Sequence, residues 1–267
     1  MRGPLGLLLL AACGRVGFDA GSVDSGHDGV SPANVPFAFR KPITIDRMRN
    51  ASGVDLADIP IAIRVTDQDL QMVSAGGKLD TGADLAFYAA DGVTPLAFEL
   101  DGLSSSGDLL AWVKLPVFSA TANTSLFLAF GDPMTTSVRE DRGGTWSHDY
   151  VGVWHFSEPS YSGTAGETQD AIGAHSGTAS TGVSTIASGK LGRAASFAGN
   201  CSYISIAAST ALQPPSVTVS AWVNPADIGT STERIDTIVA QDYWRTVGSG
   251  SQGYYLEVYR TVSQPEP

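Results

Sequence analysis

Glu99 and Asp101 are the residues whose types and spacing come nearest to an acid–base pair. In a strand, residues two apart project to one face about 6.6 Å apart, a carboxylate spacing compatible with glycoside hydrolysis. A third acid in the pattern E-x-D-x-E or E-x-D-x-x-E would fall at Leu103 or Ser104, neither of which is acidic. Asp101-Gly102 also reads as a turn, so the expectation is a solvated strand face rather than a reacting pair. The four histidines, His27, His148, His155 and His175, have no H-x₃₋₅-H spacing for a metal. A G-x-S-x-G elbow and a G-x-x-x-x-G-K-[ST] phosphate loop are both absent from the sequence. Catalysis is therefore not expected.

Cys13 offers a different chemistry. Met1-Arg2-Gly3-Pro4 leads into an apolar run at 5–12, the layout of an export signal. Leu10-Ala11-Ala12-Cys13 resembles the bacterial lipobox, in which the cysteine is acylated and becomes the mature N-terminus. The run is too short for the about 20 helical residues that span a bilayer. We therefore expect a signal peptide at 1–12, a lipidated Cys13, and membrane attachment through its acyl chains. Gly14 rather than an aspartate follows that cysteine, which by analogy with enterobacterial sorting favours the outer membrane or cell surface. Residues 13–36 are rich in Gly, Ser and Asp with few large apolar side chains, as expected of a flexible acidic spacer. Asp19, Asp24 and Asp28 do not have calcium-loop spacing. Acylation of Cys13 would leave Cys201 unpaired; the alternatives are a buried thiol, a partner beyond this chain, or a Cys13–Cys201 disulfide.

The elements that must position any site read as short strands. Charged residues make up only 16% of the 267, and glycine accounts for 30 of them, which favours β-rich architecture over helix bundles. Sixteen cations against 27 anions give a net charge of −11, which argues against nucleic acid as a partner. Alternating or apolar runs predict strands at 39–46, 60–65, 85–89, 95–100, 109–115 and 125–130, with one short helix within 67–74. Trp112 reads as a core anchor. A polar segment at 134–150 reads as a linker between two domains, 37–133 and 151–267. Further strands are expected at 151–156, 194–197, 203–206, 217–223, 235–240 and 254–259, with a long connection over 160–189. The fold class is all-β, two β-sandwich domains.

Arg40-Lys41-Pro42-Ile43-Thr44-Ile45-Asp46, Leu85-Ala86-Phe87-Tyr88 with Asp91-Gly92, and Leu110-Ala111-Trp112-Val113-Lys114-Leu115-Pro116 resemble domain-of-unknown-function family 2341. Trp146-Ser147-His148-Asp149-Tyr150-Val151-Gly152-Val153-Trp154-His155-Phe156 resembles the junction from that family into a laminin-G-like sandwich. Gly189-Lys190-Leu191-Gly192-Arg193-Ala194, Ser196-Phe197-Ala198-Gly199-Asn200 and Val219-Ser220-Ala221-Trp222-Val223-Asn224-Pro225 continue the likeness. The resemblance implies a concanavalin A-like jelly roll for the second domain, here expected to be C-terminally incomplete. It also implies binding to glycans or matrix proteins, sometimes through calcium. Jelly-roll glucanases of that fold use the acid patterns that Glu99 and Asp101 leave unfinished.

Glu158 and Asp170 occupy acidic positions that recur in laminin-G-like sequences, and are the possible calcium ligands; turn-forming carboxylates are the competing reading. Tyr161, Tyr243 and Trp244 fall in or near expected loops and could stack on sugars, whereas Trp154 and Trp222 read as core. Asn50, Asn123 and Asn200 match glycosylation sequons, which a bacterial lipoprotein would usually leave unmodified. The function expected is envelope-anchored, non-catalytic binding of a glycan or surface protein. The alternatives are an accessory or degenerate polysaccharide hydrolase and a structural envelope component.

Overall fold

Period-two alternation sets the architecture of the first 130 residues. In the computed structural model, which describes residues 36–147, 149–199, 201–225, 234–241 and 253–260, seven strands occupy that region. They are β1 (Phe39–Ile45), β2 (Leu56–Thr66), β3 (Leu85–Ala89), β4 (Pro95–Leu96), β5 (Phe98–Leu103), β6 (Asp108–Phe118) and β7 (Thr124–Phe130). They form a four-stranded sheet in the order β1-β7-β3-β4 and a three-stranded sheet in the order β2-β6-β5, antiparallel throughout. In β6, Leu109, Ala111, Val113 and Leu115 are buried and join the core, while Leu110, Trp112 and Lys114 project from the opposite face. Phe87 of β3 meets Phe98 of β5 edge-on, ring centroids 5.2 Å apart, tying the two sheets together. The protein is all-β, with its first sheets packed as a sandwich.

Every edge of this sandwich is blocked against further pairing. Prolines occupy three of the four edge strands: Pro42 in β1, Pro60 in β2 and Pro95 in β4. A proline cannot donate to a neighbouring strand, so it blunts an exposed edge. The fourth edge, β5, is covered instead. Asp141 N donates to Phe98 O at 2.8 Å, and Leu100 N donates to a Glu140 carboxylate oxygen at 3.1 Å. Two glycines are required by geometry. Gly131 has φ +79°, and a Cβ there would fall 2.7 Å from the Phe39 ring. Gly107 has φ +82°, and a Cβ would collide with Asp67 O.

The segment expected as a linker at 134–150 does not stand away from the sandwich. Val138 packs on the core, the Arg139 guanidinium lies over the Phe37 ring at 5.0 Å, and Trp146 is buried. A single helical turn, α1 (Arg142–Thr145), is capped by the Asp141 side chain, which accepts from Gly144 N at 2.8 Å. The helix expected within 67–74 is instead two 3₁₀ turns, Gln68–Leu70 and Val73–Ala75, the first capped by Asp67.

After 147 the structure keeps the all-β character with shorter elements: β8 (Gly177–Ala179), β9 (Val183–Ile186), β10 (Ala194–Phe197) and β11 (Ile204–Ile206), paired as β8–β11 and β9–β10. β8 and β9 lie where the sequence suggested a long connection. The strand expected at 151–156 does not form. Val153 N donates to the Asp170 carboxylate and Val153 O accepts from Ala171 N, and Phe156 turns through φ +56°. By its contacts the chain divides between Ala207 and Ala208, so residues 151–207 belong to the same compact unit as the sandwich. The second unit contains β12 (Arg234–Ala240) and β13 (Tyr255–Arg260), an antiparallel pair with a bulge between Thr237 and Val239. Residues 217–223 have no strand assignment, and Trp222 is exposed rather than core.

Truncating Phe87, which has no exposed surface, to alanine is expected to cost about 3–5 kcal/mol. Met134→Ala, at 85% exposure, is expected to stay within about 0.5 kcal/mol of the parent. Urea unfolding followed by tryptophan fluorescence compares the two directly.

Candidate functional site

The outer face of the β2-β6-β5 sheet carries the densest group of chemically capable side chains. Register aligns Ala62, Trp112 and Glu99 in one row across the three strands. The ladder between β5 and β6 slips between Leu100 and Gly102, leaving Asp101 as the extra residue of a bulge. Bulges re-aim side chains, and here Asp101 faces the Trp112 indole and the Ser157 hydroxyl.

Glu99 is held from three directions. Trp146 Nε1 donates to its Oε2 at 2.5 Å, His155 Nε2 lies 2.9 Å from the same oxygen, and Arg142 Nε lies 3.5 Å from Oε1. The His155 ring stacks on Trp112, centroids 5.5 Å apart and planes 23° apart, and Trp146 tilts against both. Burial alone would push Glu99 upward; the His155 bond and charge, with Trp146 and Arg142, outweigh it and hold the carboxyl below its usual range. Asp101 goes the other way. Burial raises it, the neighbouring Glu99 charge adds to that, and His155 and Ser157 offset only part.

Two carboxylates with opposite shifts are a recognised pattern for acid–base work, but access decides the matter. The Glu99 side chain is only 4% exposed, and both its oxygens already face donors. The expected solvated strand face is thus a buried cluster, and Asp101-Gly102 lies within β5 rather than in a turn. Trp112, expected in the core, points to the outer face because its neighbours Ala111 and Val113 take the inward positions. What this arrangement does is fasten 142–157 to the sheet.

The second grouping lies in 158–183. Glu158 takes the Tyr161 hydroxyl at 2.8 Å and Gln169 N at 2.7 Å. Burial and the Glu158 carboxylate together push the Tyr161 phenol far above its ordinary value, so it stays a donor. Tyr161, Ser162 and Gly163 form one wall of a shallow hollow of about 520 Å³, and Ala179 to Val183 form the other. Glu167 joins the walls: its carboxylate accepts from Ser162 N at 2.7 Å, Ser162 Oγ at 2.9 Å, Gly163 N at 2.9 Å and Ala179 N at 3.3 Å. Those bonds, the Ser162 N–H foremost, hold Glu167 down at about 2.

Calcium ligation by Glu158 and Asp170 does not fit these contacts. Asp170 is buried, and each of its oxygens accepts two backbone N–H groups, from Val153 and Ile172 and from Ala174 and His175. Glu158 is likewise committed to two donors, and among the described residues no three acidic, His or Cys side chains converge as a metal would require. Asp170 instead organises its turn, the role its spacing also allowed. Cys201 is exposed at φ +65°, not buried. Asn50 is buried, its amide donating to Val54 O and Phe118 O. Trp154 is half-buried, with Nε1 on His175 O at 2.9 Å. Cys13, Tyr243 and Trp244 lie outside the described residues. Glu167 was not among the expected site residues; its one signal in the sequence is an acid close to the Ser162-Gly163 turn. No protein-family model, curated protein or solved structure matches the chain.

The opposed shifts on the sheet make a paired prediction. Glu99 stabilises the fold above its ordinary value of 4.5, and that contribution fades as pH falls through its depressed folded value. Asp101 is raised, so stability is lost as pH climbs from its ordinary 3.8 through the raised folded value. At pH 7, Glu99→Gln is expected to lose about 1–3 kcal/mol while Asp101→Asn gains, and both differences shrink as pH falls, that of Asp101 toward its ordinary 3.8 and that of Glu99 through its depressed folded value. Urea midpoints at pH 7 and pH 3 read the signs. A loss in both variants at pH 7 would contradict the assignment.

Proposed function

We propose that this chain is an envelope-anchored, non-catalytic binding protein that holds a glycan or surface protein. In this reading Cys13 is acylated, residues 13–36 space the folded part from an outer membrane, and the two β units carry recognition. Acyl chains in pairs or more make membrane residence stable, which suits a display role. The resemblances to family 2341 and to laminin-G-like sandwiches point the same way.

The observation that carries the binding reading is a contrast in access. The carboxylate pair Glu99 and Asp101 has Glu99 shut beneath Trp146 and His155. The Tyr161 hollow, by comparison, is open and lined by small polar residues, with both walls fixed in advance by Glu158 and Glu167. A preset loop with an aromatic ring suits a saccharide, because little conformational freedom is lost on binding.

A glycan array probed with the full chain, with and without calcium, tests this proposal. Retention of at least one saccharide is expected, unchanged by chelation. Tyr161→Ala is expected to weaken it at least tenfold, about 1.4 kcal/mol. Retention that survives intact in Tyr161→Ala would remove the hollow from the account. Palmitate labelling that is lost in Cys13→Ser and blocked by globomycin is the expected result for the anchor; unchanged labelling in that variant would refute acylation at Cys13.

A further inference from the structure

Glu167 does more than cap a turn. Its four bonds reach both sides of the hollow, with Ser162 and Gly163 on one wall and Ala179 on the other. Gly163 needs its φ of +82° to bring its N–H to the carboxylate, and Gly182 at φ +93° shapes the facing turn. Tyr161 is set independently by Glu158. Both walls are therefore held by carboxylates that do not themselves line the hollow, and none of its lining residues is Lys or Arg.

Resting on the reading of this hollow as a glycan site, we infer that Glu167 positions its walls and makes it selective for uncharged saccharides over uronic or other anionic ones. A sugar carboxylate entering the hollow would approach the Glu167 charge that holds its walls, with no lining cation to compensate. The charge is permanent under ordinary conditions, since Glu167 stays ionised down to about pH 2. The protein's net charge of −11 adds repulsion at longer range. A neutral sugar incurs neither cost and finds the Tyr161 ring, the Thr181 side chain and the glycine backbones of the two turns.

Matched hexasaccharides test the inference on the full chain: β-1,4-glucan against glucuronan, mannan against mannuronan, galactan against galacturonan, by calorimetric titration at low salt and at roughly 0.5 M NaCl. The expected result is at least tenfold tighter binding of the neutral member of whichever pair binds, with the ratio narrowing at high salt as screening requires. Glu167→Gln is expected to lower neutral affinity severalfold and bring the ratio toward one, and Glu167→Asp to keep the ratio. Equal or tighter uronate binding, or an unchanged ratio in Glu167→Gln, overturns the selectivity and leaves the glycan reading standing. Binding to no hexamer of either kind overturns both. The neutral-to-uronate ratio and its salt dependence are read on the parent protein, so the selectivity stands or falls even where Glu167→Gln does not fold.

Discussion

The outer face of β6 is the constraint on which the rest of this fold depends. Leu110 and Trp112 alternate outward from a strand whose inward residues already fill the sandwich core. Left in water, that face would expose a large indole and a leucine side by side. The chain covers it with its own continuation: Trp146 and His155 lie on Trp112, and the Gly192 turn comes against Leu110. That single need explains why 134–147 hugs the sandwich and why 151–207 belongs to its unit.

Covering an apolar row does not by itself set a register, and here buried polar groups do so. Glu99 accepts from an indole that arrives from the end of α1 and faces an imidazole from the following segment, so both must be in place to satisfy it. An unpaired buried carboxylate is costly, which turns the contact into a requirement. The same device recurs across the unit. Asp84 gathers Asp80 N and Thr81 N, Asp132 gathers Met134 N, Thr135 Oγ1 and Arg139, and Asp170 gathers four backbone amides. In an acidic chain with few helices, buried carboxylates organise the turns that strands leave behind.

The hollow near Tyr161 is shaped in a similar way by two half-buried carboxylates. Glu158 and Glu167 act on adjacent turns, and the space between them is what remains once each carboxylate has collected its donors. Its walls are thus set by the same bonds that fold the segment. Glu99 is closed off by its donors, whereas the tyrosine hollow is open.

Much of the first sandwich was legible in the chain. Leu85–Ala89 matches its predicted bounds and β1 and β7 do so within a residue, because flanking Gly and Asp punctuate them, and beyond the sandwich Ala194–Phe197 matches as well. The prolines of β1, β2 and β4 likewise mark edges in the sequence itself. Tertiary structure alone decided the fate of Glu99 and Asp101, of Trp112, and of residues 151–156. Period two assigns a residue to a face but not to a neighbour, and Glu99 is buried by side chains 47 and 56 residues away. Local sequence thus determined most strands of the first sandwich and their alternation. Which face meets water was settled only when the later chain folded back, because burial is a property of what arrives, not of the residue that waits.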